Sequence, residues 1–369
     1  MLSRMQSLTF RKALSASYPW TTHPLIIGAP MRVFSGPESA TAITLSGGIG
    51  FIGPGLQPSS TASDLQTAKS LLSSSSSPST HTAGELEKDE GALPVGVAFQ
   101  LWNGNLESAT EAVAEYRPVA AWLFAPRNGQ TETDEWARAL RGASSGIKIW
   151  LQVGTVQEAV EAARSDTPPD VLVIQGAEAG GHGRAEDGVG VLTLLPEVAD
   201  RLAGMGENNI PLVAAGGIID GRGVVAALGV GAAGAAMGTR FLAAKEARIS
   251  KGYQDEVVRA GDGAVNTVRT HLYNHLRGTF GWPEQWSPRT IVNKSWEEHK
   301  SGVSFDELKK RHDEALKRGS SAWGPDGRTA TYAGAGIGLV KTVKGAGEIV
   351  EEVRGDALVI IQSLQGLVS

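Results

Sequence analysis

Residues 211–240 read PLVAAGGIIDGRGVVAALGVGAAGAAMGTR. An apolar run, Pro211–Ala215, stops at Gly216-Gly217. A small-residue stretch with helical spacing follows over Gly223–Gly229, and a second apolar run, Gly234–Met237, stops at Gly238-Thr239-Arg240. Strand, helix and strand in immediate succession make a βαβ unit. Both runs are apolar on both faces, as strands of a parallel sheet covered by helices must be.

The same unit recurs on the N-terminal side. The other expected strands are Pro24–Ala29, Gly48–Ile52, Pro94–Phe99, Val119–Phe124, Ile147–Gln152 and Asp170–Gln175. Amphipathic stretches lie between strands at Pro37–Ser46, Leu106–Tyr116, Thr133–Ala143, Val156–Arg164 and Leu195–Ala203. Eight such repeats predict an α/β chain closed into a (β/α)8 TIM barrel. A doubly wound open sheet is the alternative. Residues 1–242 and 334–369 are assigned to the barrel, with an eighth helix expected over Ala335–Val350.

Two segments break the repeat. Residues 73–84, SSSSSPSTHTAG, read as a low-complexity, disordered surface loop. Residues 245–333 form an excursion after the eighth strand, expected to be mostly helical and rich in aromatics: Tyr253, Tyr273, Phe280, Trp282, Trp286, Trp296 and Trp323. It leaves from the face of a barrel where active sites sit, so it is expected to be a lid or a dimer arm. The pattern admits a homodimer.

Composition narrows the chemistry. The chain has 369 residues, 41% hydrophobic and 20% charged, with a net charge of −5. It is globular, and it lacks the basic stripe of a nucleic-acid binder. With no cysteine there is no disulfide, thiolate metal site or cysteine nucleophile. No apolar stretch reaches the roughly 18 residues of a membrane span. The expected compartment is the cytoplasm. The first 22 residues hold Arg4, Arg11 and Lys12 and no acid. They read as a short helix capping the fold, with Leu2, Met5 and Leu8 on its apolar side; an organellar presequence is the alternative.

In a barrel the strand ends meet on one face. Gly216, Gly217, Gly238 and Thr239 end strands seven and eight, where barrels often bind phosphate. Glycine lets a phosphate reach backbone N–H groups that a Cβ would block. After strand six the chain reads VIQGAEAGGHG over 173–183. Its glycine-rich end is expected to form neither helix nor strand. It leaves His182 as the one large side chain there, presented to a ligand and suited to moving protons near neutral pH.

Competing motifs are weaker. His271 and His275 have helical spacing for a metal but no third ligand, so none is expected. Gly142-Ala-Ser144-Ser-Gly146 has a helix before it and a strand after it, the reverse of a nucleophile elbow. Gly334-Ala-Gly336-Ile-Gly338 lacks the flanking strand and acid of a dinucleotide loop, and reads as the start of the last helix.

These stretches resemble the FMN-dependent nitronate monooxygenases, formerly 2-nitropropane dioxygenases. The resemblance rests on PLIIGAPM (24–31), SGGIGFIGPG (46–55), VIQGAEAGGHG (173–183), residues 213–242 and AGAGIGLVKTVKGAGEIV (333–350). RTHLYNHLRGTFGWPEQW (269–286) is similar to the excursion of fungal members. The resemblance implies FMN contacts at Ala29, Pro30 and Met31 under the ring and at Gln175, Gly180 and Gly181 beside it. Around the phosphate it implies Gly216, Gly217, Gly238 and Thr239. It makes His182 the catalytic residue, as base or as the group orienting the anion; apart from the resemblance, Arg240 or Arg184 is expected to attract that anion. The implied reaction is oxidation of alkyl nitronates, or nitroalkanes, with O2 to a carbonyl compound and nitrite. Many members carry Gly-Val-Asn at the end of strand three where this chain has Gly96-Val97-Ala98, which leaves Gln100 or Asn103 to replace the missing amide. An FMN-dependent NAD(P)H enoyl-thioester reductase and a non-catalytic flavin-binding protein are the competing readings.

Overall fold

The computed structural model describes residues 2–74, 91–207, 209–324 and 326–367, and the side chains from residue 9 onward. In chain order the strands are β1 (Ile26–Gly28), β2 (Ile49–Ile52), β3 (Leu93–Gln100), β4 (Pro118–Phe124), β5 (Lys148–Val153) and β6 (Val171–Gln175). Then come β7 (Gly181–Arg184), β8 (Leu212–Ala215), β9 (Gly234–Met237), β10 (Thr267–Arg269) and β11 (Trp286–Ile291). Strands β1 to β6, β8 and β9 form a closed parallel barrel, sealed by Ile27 beside Ala236 across β1 and β9. This is the (β/α)8 barrel that the alternating pattern predicts; no open edge remains, so the doubly wound alternative falls.

Two cores follow from strand alternation. Outward residues such as Ile26, Ile52, Leu151, Ile174 and Ala214 pack beneath the helices. Inward residues, including Ile27, Phe51, Trp122, Trp150, Val173 and Val213, fill the barrel. The Trp122 and Trp150 rings stack at 5.9 Å, and Phe51 meets Trp122 edge-on at 5.1 Å. Each such pair adds about 0.5–1.5 kcal/mol beyond its buried area. Their polar edges are satisfied: Trp122 Nε1 donates to Gln152 Oε1 at 3.1 Å and Trp150 Nε1 to the Tyr18 hydroxyl at 2.7 Å.

Tyr18 arrives from the N-terminal segment. The helix Leu2–Ser17 brings Phe10 and Leu14 into the barrel core, with Tyr18 and Trp20 following, so this segment caps the barrel from below. Leu2, Met5 and Leu8 lie outside the described side chains. No described helix is long and apolar enough to cross a membrane.

Three local expectations need correction. Ser73 and Ser74 close the helix Ser60–Ser74, and residues 75–84 of the serine-rich stretch lie outside the described residues. The last helix does not begin at Ala335. A short 3-10 turn, Ala335–Leu339, comes first, and the helix runs Ala346–Gln365. Gly336 is pressed against the loop after β8, where a Cβ would sit 2.8 Å from Ile219. The excursion's regular structure is mostly helical, and the third correction comes from its strands. The segment contributes β10 and β11 to a three-stranded antiparallel sheet ordered β10-β11-β7. The glycine-rich Gly181–Arg184 is therefore a strand, against expectation: His182 lies opposite Pro288 and Gly181 opposite Arg289. Glycine is a poor strand former, and the pairing with a distant segment overrides that preference.

Candidate active site

A cavity of about 390 Å3 opens at the C-terminal ends of the barrel strands, a size usual for a small-molecule site. Ala29, Pro30 and Met31 line it after β1, Gln175 at the end of β6, and Gly180, Gly181 and His182 at the start of β7. Gly216 and Gly217 line it after β8, and Gly238 and Thr239 after β9. All eleven residues singled out in the sequence meet in this one space.

Its glycines are held in contacts that a larger residue would break. A Cβ on Gly180 would lie 2.4 Å from the Gly334 nitrogen, and one on Gly334 would lie 2.7 Å from the Glu178 oxygen. The loop 333–336 is thereby laid on the loop after β6 and stitched to it: Ala335 N–H donates to the Glu178 carbonyl at 2.9 Å. Gly334 N–H donates to the Thr239 hydroxyl at 2.9 Å, which leaves that hydroxyl its own proton to donate. Gly216 and Gly217 have φ of 105° and 73°, the left-handed region that favours glycine. Among the described residues, the amides of Gly216, Gly217 and Thr239 donate to no protein acceptor. Gln175 Oε1 is also without a partner, while its Nε2 holds the His182 carbonyl at 3.2 Å. Free amides beside glycines suit a phosphate, and a free amide oxygen suits a ring N–H, so the residues present fit a flavin mononucleotide.

Glu178, the one acid of that loop, does not face the reaction space. Its carboxylate accepts from Val191 N–H at 3.1 Å, at the start of the helix Val191–Gly204, where the helix dipole favours negative charge.

His182 is fixed on three sides. Its ring stacks on Trp282 at 3.5 Å and 7°. Nε2 lies 2.9 Å from Asn274 Nδ2, and Asn274 Oδ1 in turn accepts from the Tyr332 hydroxyl at 3.0 Å. Its backbone is held by the β11 ladder and by Arg269. That guanidinium donates to the carbonyls of Ala177 at 3.1 Å, Ala179 at 2.9 Å and Gly181 at 3.3 Å, and to that of Ser287. Arg289 adds a second donor to Ala177, at 3.1 Å.

Burial, reinforced by His271, Arg269, Arg32 and Arg277, pushes the His182 pKa well below 6.5. The ring is neutral at pH 7. The folded protein thus refuses a proton that the unfolded chain accepts below about pH 6.5, and stability falls as pH drops through that value toward the lowered one. His23, His271 and His312 are shifted the same way. Replacing His182 by Asn should remove part of the slope between about pH 7.5 and about pH 5, read from urea unfolding at each pH. An unchanged slope would mean that the folded ring titrates normally.

The sequence misplaces the cationic partners. Arg240 is buried behind the site and donates to the Thr342 carbonyl at 3.1 Å. Arg184 pairs with Glu158 at 2.8 Å and with Asp187, and lies over Trp286. The arginines that line the cavity are Arg32 and Arg277, neither with a carboxylate partner among the described residues. Asn274, Arg277, Trp282 and Tyr332 come from the excursion. Their segment stands out in the sequence as aromatic and polar, but nothing local says which of its side chains face the barrel. At the end of β3, Ala98 and Gln100 line the cavity, whereas Asn103 lines a neighbouring recess of about 100 Å3. Of these two amides, Gln100 is the one that lines the cavity.

The family model described as nitronate monooxygenase matches residues 138–356. The chain is 59% identical to nitronate monooxygenase npaC of Metarhizium robertsii over 96% of both chains. It is 34% identical to a nitronate monooxygenase of Neurospora crassa over 95% of this chain and 94% of that one. Among solved structures, FabK of Thermotoga maritima superposes with a TM-score of 0.70 at 23% identity, covering 96% of this chain and 98% of that one. A nitroalkane oxidase of Streptomyces ansochromogenes superposes with a TM-score of 0.68 at 22% identity, covering 95% and 99%. At those identities the two structures speak for the fold alone. The sequence matches go further: the chain belongs to the nitronate monooxygenase family of oxidoreductases.

Proposed function

We propose that this chain binds FMN at the barrel mouth and oxidises alkyl nitronates with O2 to a carbonyl compound and nitrite. The observation that carries the reading is one cavity with free amides on one wall and His182, Arg32 and Arg277 on another. Gly216, Gly217, Gly238 and Thr239 hold the phosphate; Ala29, Pro30, Met31, Gln175, Gly180 and Gly181 hold the ring. Bound FMN supplies the electron-accepting and O2-dependent chemistry that no side chain offers.

The protein does the rest. Arg32 and Arg277 draw the anion in, and with no carboxylate among the described residues to neutralise them they keep that attraction in the low-dielectric mouth. His182 hydrogen-bonds the nitro oxygens, and toward a neutral nitroalkane it removes the α-proton. Trp282 and Tyr332 cover the His182 imidazole and keep bulk water from it.

The test is spectroscopic. Purified protein carrying its flavin is mixed without air with propionate 3-nitronate in one cuvette and with NADPH in another. Bleaching by the nitronate alone, followed by nitrite release when air is admitted, is the expected result. Bleaching by NADPH alone would make the protein a reductase, and no change with either would leave a flavin-binding protein without this turnover. Protein that neither carries nor takes up FMN would sink the cofactor assignment.

A further inference from the structure

We propose that Asn274, held by Tyr332, is a positioning residue that selects the tautomer of His182 and thereby sets the preference of the site for a nitronate over a neutral nitroalkane. The kinetic part rests on the function proposed above; the tautomer itself does not.

The argument starts from hydrogen-bond inventory. A neutral imidazole has one N–H and one lone pair, and whichever nitrogen meets a donor must be the acceptor. The Tyr332 hydroxyl donates to Asn274 Oδ1 at 3.0 Å, which turns Nδ2 toward His182 Nε2 at 2.9 Å. Nε2 is then the acceptor and the ring proton sits on Nδ1. Among the described residues no protein group meets Nδ1, and the cavity that the ring lines is the space left for it. Asn274 is 1% exposed, so its amide is held by these two side chains rather than by bulk solvent. The cationic surroundings of Arg32, Arg269 and Arg277 disfavour a doubly protonated ring, so the choice between tautomers is a real one.

The consequence is chemical. In this arrangement His182 offers the cavity an N–H, which a nitronate oxygen can accept, and its only lone pair is spent on Asn274. A neutral nitroalkane needs the opposite: a lone pair facing its α-hydrogen. That requires the Asn274 amide to turn over so that Oδ1 accepts from Nε2–H, and the Tyr332 hydroxyl resists the turn because it would then have to accept from Nδ2–H, which a phenol oxygen does less well than its O–H donates. Asn274 and Tyr332 together keep the histidine a donor, and the enzyme meets its substrate best as a preformed anion.

The experiment uses flavin-loaded protein labelled with 15N in histidine, with the His182 signals identified by their loss in His182→Asn. The wild type should show a neutral ring protonated at Nδ1. Asn274→Asp places an acceptor-only group against Nε2, and the proton should move to Nε2. Tyr332→Phe keeps the ring beneath Arg277 but frees the amide to turn. Its His182 signals should shift toward the Nε2-protonated form, and the ratio of kcat/KM for nitroethane to that for ethyl nitronate should rise about tenfold, the factor one net hydrogen bond carries. A wild-type ring protonated at Nε2 would overturn the proposal. So would an Nδ1-protonated ring that neither substitution moves, or a tautomer shift that leaves the ratio unchanged. Absence of nitronate turnover in the wild type would count against the proposed function and leave the tautomer result standing.

Discussion

Replacing His182 by Asn is expected to lower turnover of a neutral nitroalkane by about 10²–10⁴-fold, the range carried by a general base. The same change should lower turnover of the corresponding nitronate only about tenfold, the loss of one hydrogen bond to a charged group. The difference arises because a nitronate has already lost its α-proton and needs only to be held. Asn fills a similar space, and the free amides of Gly216, Gly217 and Thr239 lie on other loops, so flavin content should not change. Side-by-side kinetics with nitroethane and ethyl nitronate, together with the flavin absorbance of the purified variant, make the measurement. Equal losses on both substrates would remove the base role and leave His182 a binding group only.

The second large effect is expected at Arg269, which among the described residues touches no carboxylate and does not line the cavity. Its guanidinium serves four carbonyls: two on the loop after β6, one at the start of β7 and one on β11. Those carbonyls lie at the seam between barrel and excursion, and desolvation there has already lowered the Arg269 pKa to about 10. Met fills the volume without a donor. Each carbonyl left unsatisfied costs about 1–3 kcal/mol, less what water recovers, so Arg269→Met should lower stability by about 2–4 kcal/mol. The loop carrying Gly180, Gly181 and His182 should loosen with it, and flavin should be lost on dilution. Arg269→Lys should recover only part of this, because an ammonium cannot span carbonyls that a planar fork reaches together. Urea unfolding and flavin retention report the two effects. A Met variant within about 0.5 kcal/mol of the parent would show that the ladder to β11 holds the loop unaided.

The resemblance was readable without structure because its residues lie at strand ends. Gly216-Gly217 and Gly238-Thr239 each follow an apolar run directly, and chain order alone carries them to the same rim. The arginines were misplaced for the opposite reason. Arg240 follows β9 and Arg184 ends β7, yet both turn away from the cavity to partners at Thr342 and Glu158. Arg32 follows the Ala29-Pro30-Met31 loop and nothing in its spacing marks it. A side chain's direction in an irregular loop depends on what packs behind it.

The sequence by itself determined the barrel, the rim on which its site sits and the glycine positions around it. Those features are written in short-range patterns: apolar runs, helical spacing, and glycine where backbone must come close. Only the tertiary structure decided that Gly181–Arg184 is a strand, and that Asn274, Arg277, Trp282 and Tyr332 complete the site. Both depend on pairing between segments about a hundred residues apart. Such pairing is selected by backbone hydrogen bonds that every residue can make, and no local composition records which partner will be found.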